Sequence, residues 1–139
     1  MAASADDWNR GVIEEFRANG GRVAQFEGRP LLLLHHKGAK SGTDRVNPLV
    51  FLPVDDAFAV FGSKAGADTN PAWYHNLQAH PDTTIEVGTE TIPVHARVAE
   101  GDERTRIWEE QKRQNSNFAE YEKLTTRPIP VVILERVAA

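Results

Sequence analysis

Apolar residues recur along the chain with two different periods, and the change of period separates helices from strands. Val12 and Phe16 stand four residues apart, and together with Trp8 they form the apolar stripe of an amphipathic helix. We predict this N-terminal helix over about residues 5–20. The continuous apolar run Leu31–His35 follows it and is typical of a strand that is buried on both faces.

Alternating apolar and polar positions predict two hairpins. Val46–Val54 and Phe58–Gly62 lie on either side of Asp55-Asp56, a dipeptide suited to a tight turn. Thr83–Val87 and Thr91–Val98 alternate in the same way around a short segment that contains a glycine. Both pairs indicate antiparallel strands.

The remaining segments predict three helices and a final strand. Asn70 and Pro71 are good residues for a helix cap and a first turn. The predicted helices are Asn70–His80, Asp102–Gln114 and Phe118–Leu124, and the predicted strand is Val131–Leu134. In the second helix, Ile107 and Trp108 are expected to face inward. Because hairpins dominate over alternating strand–helix units, the order favours an α+β fold with a largely antiparallel sheet, curled into a small barrel.

Composition limits the classes of function. The 139 residues suit one domain, 1–139, and the net charge of -4 argues against general nucleic-acid binding. Without cysteine the chain has no disulfide, thiolate nucleophile or cysteine metal site. The apolar runs are too short to span a bilayer, and the acidic N-terminal helix does not suit stable membrane insertion. We expect a cytoplasmic enzyme or binding protein, either a monomer or a homodimer.

Two polar loops combine cations, glycines and small hydroxyl residues. The first carries Lys40 and Arg45, five residues apart, and the second begins with Ser63 and Lys64. Backbone N–H groups beside Lys and Arg bind phosphate or carboxylate, and the helix predicted after Asn70 would add the positive end of its dipole. One such loop is an ordinary solvated turn, but the pair suggests a large anionic ligand.

Other candidates have a structural alternative. Trp73 and Asn76 could line a flat heteroaromatic ring, although Trp73 could equally pack in the core. Tyr121 could present its hydroxyl to a pocket as a proton donor, or belong to a core stripe. The adjacent histidines His35 and His36 would point to opposite faces of a strand, so we expect no metal site.

Taken together, the motifs resemble those of the deazaflavin (F420)-dependent nitroreductase family of actinobacteria, from Asn9 to Leu134. The matching blocks are Ile13 to Gly21, Gly38-Ala39-Lys40-Ser41-Gly42 with Arg45 to Leu49, Ser63-Lys64-Ala65-Gly66, Asn70 to Leu77, Ala79-His80-Pro81, Ala96-Arg97, and Tyr121 with Thr125 to Pro130. This resemblance implies a split β-barrel that binds F420.

The resemblance also implies roles for individual residues. Lys40 and Arg45 match positions that hold the phosphate and oligoglutamate tail of F420, and Ser63 and Lys64 match positions beside the deazaflavin and its phosphate. Trp73 and Asn76 match positions that line the deazaflavin end, and Tyr121 matches a tyrosine of the substrate pocket. Ser63 or Tyr121 would hydrogen-bond the acceptor oxygen.

The expected function is hydride transfer from reduced F420 to a small electron-poor acceptor such as a quinone, enone or nitroaromatic. Without cysteine, no side chain of this protein carries electrons reversibly, so redox chemistry requires a bound cofactor. Two alternatives stay open from the sequence. One is an FMN-dependent reductase on the same barrel, and the other is a non-catalytic carrier of F420 or a lipid.

Overall fold

The structure, a computed structural model, describes residues 5–26, 30–63 and 70–137, with side chains from residue 9 onward. The helices are α1 (Ala5–Ala18), α2 (Ala72–Ala79), α3 (Gly101–Gln114) and α4 (Asn117–Leu124), with a short 3₁₀ turn at Ala24–Phe26. The strands are β1 (Leu31–Lys37), β2 (Asp44–Val50), β3 (Leu52–Val54), β4 (Ala57–Phe61), β5 (Asp82–Val87), β6 (Glu90–Val98) and β7 (Val131–Arg136).

All seven strands pair antiparallel in one sheet, in the order β2-β1-β5-β6-β7-β4-β3. Strands β2 and β3 lie at opposite edges, yet only Phe51 separates them in the chain. In a flat sheet these edges would be about 29 Å apart, whereas one intervening residue keeps the Cα atoms of Val50 and Leu52 within about 7 Å. The sheet must therefore curl until its edges meet, which confirms the predicted α+β class and the split barrel.

The same connection corrects one sequence prediction. Val46–Val54 is not a single strand, because its first part pairs with β1 and its last part, β3, pairs with β4. The chain changes direction at Phe51, whose N–H donates to Pro30 O at 3.1 Å and whose buried ring packs edge-on against Phe58. The predicted turn at Asp55-Asp56 is confirmed between β3 and β4.

The barrel interior is filled by alternate residues of the strands. In β1, Leu32 and Leu34 face this interior cluster, whereas Leu31 and Leu33 face an outer cluster. Because both faces of β1 are buried, its sequence is continuously apolar. Helix α2 packs against β1 and β6 and contributes Trp73 and Leu77 to the interior.

Helices cover the outside of the barrel on two sides. Val12 and Phe16 of α1 pack on Leu31 and Leu33, as the helical stripe predicted. Arg17 of α1 also donates two hydrogen bonds to Glu86 of β5, and these bonds hold the pKa of that carboxyl below its ordinary value. The side chain of Trp8 lies outside the described residues.

The second outer layer consists of α3 and α4 over β3, β4 and β7. Ile107 and Trp108 face inward from α3, as predicted, and Trp108 packs against Phe61 and Phe118 at ring-centroid distances of 5.8 and 6.1 Å. Within the residues that the structure describes, no helix has the length and apolar character that a bilayer crossing requires.

Helix α2 begins later than the sequence predicted. Its first residue is Ala72, and Pro71 occupies the cap position without a side-chain hydrogen bond. Asn70 is not the cap, because its Oδ1 accepts a hydrogen bond from Arg127 at 2.8 Å. The other predicted helices and strands are confirmed, with bounds that shift by one to two residues at most ends.

Two glycines near the N-terminus give opposite predictions for stability. Gly21 has φ +99° and donates its N–H to Phe16 O, which closes α1, and a Cβ there would lie 2.9 Å from the backbone of Gly88. We expect Gly21→Ala to lower the free energy of unfolding by about 1–3 kcal/mol, since a left-handed φ and a backbone clash both oppose the side chain. Urea titration measures this change.

Gly11 is the matched control, because it lies inside α1 and the space that an added methyl group would occupy is open. Gly11→Ala should raise the free energy of unfolding by about 0.5–1 kcal/mol through helix propensity. If both variants shift the urea midpoint in the same direction, the described closure of α1 is wrong.

Candidate functional site

The hairpin that joins β1 to β2 carries two of the predicted cations, and we call residues 37–45 the cationic hairpin. Its loop is closed by hydrogen bonds from Gly38 N–H to Thr43 O and from Gly42 N–H to Gly38 O, both 2.9 Å. Gly42 adopts φ +69°, a left-handed conformation that favours glycine. Lys40 and Arg45 are exposed on this rigid turn.

The cations of the hairpin are available for an anion. Within the described part of the chain, neither Lys40 nor Arg45 forms an ion pair with a carboxylate. Arg45 lines a groove of about 400 Å³ at the hairpin's base. The other residues that line this groove are His35, His36, Lys37, Asp44, His80, Asp82, Thr83 and Thr84. Lys37 and Arg45 are donors that suit a phosphate or carboxylate ligand, whereas Asp44 and Asp82 carry the opposite charge.

The hairpin is anchored to α2 by the side chain of Asn76. The Ala39 N–H donates to Asn76 Oδ1 at 2.9 Å, and Asn76 Nδ2 lies 2.9 Å from His36 Nδ1. The amide is 7% exposed. Asn76 therefore lies beside the cationic hairpin, and these two bonds already engage both ends of its amide.

His36 completes this chain of hydrogen bonds. Its side chain is 4% exposed, and Nε2 lies 2.6 Å from Asn47 Oδ1 on the neighbouring strand β2. Burial lowers the pKa of His36, although the hydrogen bond to Asn47 opposes that shift; the positive charges of Arg45 and His35 lower it further. The ring is therefore neutral at neutral pH.

His35 and His36 point to opposite faces of β1, as their adjacency predicted. His35 Nε2 lies 2.7 Å from Glu86 Oε2 on the outer side, whereas His36 contacts asparagines. Among the residues with described positions, no group of three or more histidine, aspartate or glutamate side chains is arranged to hold a metal ion.

The second predicted loop leaves β4 at Ser63 and reaches α2 at Asn70, and Arg127 joins its two ends. Arg127 donates to Ser63 O at 2.9 Å and to Asn70 Oδ1 at 2.8 Å. Ser63 is 7% exposed. Lys64, the second cation of this loop, lies outside the described residues.

The two predicted aromatic site residues lie in different layers. Trp73 is 5% exposed and packs in the barrel interior at the start of α2. Tyr121 is half-buried on α4, where the centroid of its ring lies 5.4 Å from the centroid of the Phe118 ring. Phe118 in turn contacts Phe61, two residues before Ser63, so Tyr121 is linked by packing to the end of β4.

Sequence reasoning missed His36 and Arg127. The signal for His36 was the alternation of β1, since His36 continues the inward-facing series of Leu32 and Leu34. No local pattern pointed to Arg127, because its partners are 57 and 64 residues away in the chain.

A larger groove of about 900 Å³ lies between β3 and α3, but it contains none of the predicted site residues. Its walls carry both charge signs, from Arg106, Glu109, Glu110 and Lys112. The smaller groove also carries both charge signs, but the predicted site residue Arg45 lines it, so it agrees better with the expected site than the larger groove does.

Comparison with known proteins agrees with the sequence resemblance. The profile of a family described as F420H(2)-dependent quinone reductase matches residues 8–136. A Mycobacterium tuberculosis protein named F420H(2)-dependent quinone reductase is 37% identical over an alignment of 126 positions, and the match covers 87% of this chain and 85% of that protein.

Two solved structures are similar over most of the chain. A structure described as an F420-H2 dependent reductase (FDR-A) has a TM-score of 0.70 and 37% identity, and the match covers 77% of this chain and 95% of that one. A structure described as a domain-swapped dimer has a TM-score of 0.72 and 34% identity over 95% of this chain and 100% of that one. The chain therefore belongs to the F420H(2)-dependent quinone reductase family, whose split-barrel members are oxidoreductases with F420 as cofactor.

Proposed function

We propose that this protein reduces a quinone-class acceptor with a hydride from F420H2, and that the cationic hairpin binds the acidic part of that cofactor. The observation that carries the proposal is the pair of exposed cations, Lys40 and Arg45, on an anchored turn with no carboxylate partner among the described residues. Family membership supplies the identity of the cofactor.

Lys40 and Arg45 would bind the phosphate and the glutamate tail. Both side chains are exposed, so an anion can reach them without opening the fold. Arg45 stands on β2 opposite His36 of β1, which fixes its backbone in the sheet. A guanidinium held in this way can donate two hydrogen bonds to one phosphate or carboxylate. Lys64 would add a further cation from the second loop.

Ser63, Trp73 and Asn76 would form the side of the site nearer the ring. Arg127 holds the Ser63 carbonyl, and the interior packing of Trp73 holds the start of α2. These contacts keep the wall beside the ring rigid, which favours a fixed distance between cofactor and acceptor.

Tyr121 would donate a hydrogen bond to the acceptor. Bound F420H2 supplies the hydride, and reduction of a quinone to a hydroquinone also consumes a proton. The Tyr121 hydroxyl is a hydrogen-bond donor that could stabilise the oxygen on which negative charge develops. Ser63 is the second candidate for this donor. Nitroaromatic and enone acceptors are further electron-poor substrates of the same chemical kind.

The cellular setting stays a prediction of the sequence. We expect the reaction in the cytoplasm, with a monomer or a homodimer as the active form. The similarity to a protein described as a domain-swapped dimer favours testing the homodimer first.

Removing one cation tests the binding role. We expect Arg45→Ala to weaken F420 binding by about 1.5–3 kcal/mol, or roughly tenfold to a hundredfold in Kd, because a charge-assisted hydrogen bond is lost. Lys40→Ala should act in the same direction. Isothermal titration calorimetry at two salt concentrations measures this effect, and the salt dependence should be smaller for either variant than for the unmodified protein.

Arg113→Ala is the matched control, because Arg113 is an exposed cation on α3 that pairs with Glu110. It should leave the Kd for F420 unchanged. Equal affinities of all four proteins would contradict the role of the cationic hairpin. Binding and turnover with FMN in place of F420 would favour the flavin alternative, and F420 binding without oxidation by any quinone would favour a carrier.

The chain has two tyrosines, which allows a controlled test of Tyr121. Tyr121→Phe should lower the rate of hydride transfer to a quinone by about tenfold or more, because a donor to the developing negative charge is removed, and should leave F420 affinity almost unchanged. Single-turnover oxidation of bound F420H2, followed by absorbance, gives the rate. In Tyr74→Phe the lost hydroxyl accepts a hydrogen bond from Gln78 of the same helix, so the rate should not change. Equal rates for the two variants would exclude Tyr121.

A further inference from the structure

The hydrogen bonds around His36 form a chain, and the donor and acceptor of each bond can be assigned by starting from the Ala39 N–H. The N–H of Ala39 is a backbone donor, so the Asn76 atom that it contacts is the amide oxygen. The Asn76 amide nitrogen then faces Nδ1 of His36. Because an amide nitrogen only donates, His36 Nδ1 must accept this bond and carries no proton.

The other ring nitrogen carries the proton of the imidazole. Nε2 of His36 donates to Asn47 Oδ1, and this arrangement requires the neutral ring. A second proton would bind at Nδ1, where it would meet the hydrogens of the Asn76 amide. Rotating the Asn76 amide to accept that proton would turn its nitrogen toward the Ala39 N–H, so the anchor of the cationic hairpin would be lost.

We propose that His36 and Asn76 are positioning residues that hold the cationic hairpin in its binding conformation, and that protonation of His36 releases the hairpin and weakens F420 binding. The second part rests on the proposed function, whereas the first concerns the protein without cofactor. Asn76 would thus anchor the loop that binds the acidic part of F420, in addition to its proposed place on the side of the site nearer the ring.

The charged groups near His36 would produce the opposite pH dependence. The titratable or charged side chains around it are His35 and Lys37 on β1, Asp44 and Arg45 on β2, His80 after α2, and Asp82 on β5. Any positive charge gained by these groups beside Arg45 would strengthen anion binding as the pH falls. The direction in which F420 affinity changes with pH therefore distinguishes loss of the anchor from electrostatic attraction by the other charged groups.

The pH range follows from the lowered pKa of His36. Since burial favours the neutral ring, the anchor is fully formed above the ordinary histidine pKa of 6.5. It is lost as the pH falls below that value, through the lower pKa of the folded protein. A cofactor that needs the anchored hairpin should bind with constant affinity above this range and more weakly below it.

The first experiment uses the protein without cofactor. Nitrogen-15 NMR should show His36 with its proton at Nε2, and the Ala39 amide should be protected from hydrogen exchange at about pH 7.5. Ala39 protection should decrease as His36 titrates, after correction for the intrinsic pH dependence of exchange. Protection that stays constant after His36 has gained its second proton would overturn the anchor.

The second experiment measures the Kd for F420 by calorimetry from about pH 8 to pH 5. His36→Gln keeps one acceptor and one donor but does not titrate, and His75→Gln removes an exposed histidine of α2 as the matched control. As the pH falls across this range, we expect the ratio of the wild-type Kd to the H36Q Kd to rise by about threefold or more. The uptake of one proton by His36, linked to the loss of F420 binding, is enough to produce a change of this size. The ratio cancels the ionisation of F420 itself and of the other histidines.

The outcomes separate the two claims. If the wild type and H75Q weaken in acid while H36Q does not, the anchor controls binding. If all three proteins share one pH profile, His36 does not position the hairpin for F420. If none of them binds F420 at any pH, the proposed function fails, and the exchange of the Ala39 amide alone decides whether the anchor exists. That exchange also decides the case in which H36Q does not fold.

Discussion

One residue, Phe51, connects the two edge strands of a seven-stranded sheet, and this short connection determines the shape of the molecule. Because the chain must pass from one edge to the other within a single residue, the sheet cannot stay flat. Curling encloses an apolar interior that alternate strand residues and two side chains of α2 fill. The outer faces of the same strands then need covering, and α1 on one side and α3 with α4 on the other supply it.

Helix α2 connects this barrel to both parts of the candidate site. Asn76 ties the cationic hairpin to the middle of the helix, and Asn70 ties the second loop to Arg127 just before the helix begins. Asn76 is buried and neutral, and Asn70 and Arg127 are half-buried and hydrogen-bonded to each other. Lys40 and Arg45, which would bind the ligand, are exposed, so their charge does not need to be desolvated when the protein folds.

The residues that anchor the loops are neutral or paired, whereas the residues that would bind the ligand are charged and exposed, and the cost of burying a charge explains this difference. Burying an unpaired charge costs several kcal/mol, about the size of a domain's whole stability, so the interior end of the hairpin uses asparagines and a neutral histidine. Such a network holds a loop only while each donor faces an acceptor. The protonation state of His36 is therefore part of the geometry of the hairpin, and a change in that state acts on Ala39 through Asn76.

The elements and the family could be predicted from the sequence, because apolar periodicity, turn residues and ordered motifs are local properties of the chain. The β1 strand, the inward-facing Trp108 and the cations of the hairpin all follow from such signals. The break of the predicted strand at Phe51 could not be predicted, since only pairing with two different partners divides it. The hydrogen bonds that tie Asn76 to Ala39 and His36, and those that tie Arg127 to Asn70 and Ser63, join residues 37 to 64 positions apart. Only the closed barrel brings those residues together, because hydrogen bonds depend on distance and direction in space, which no local pattern contains.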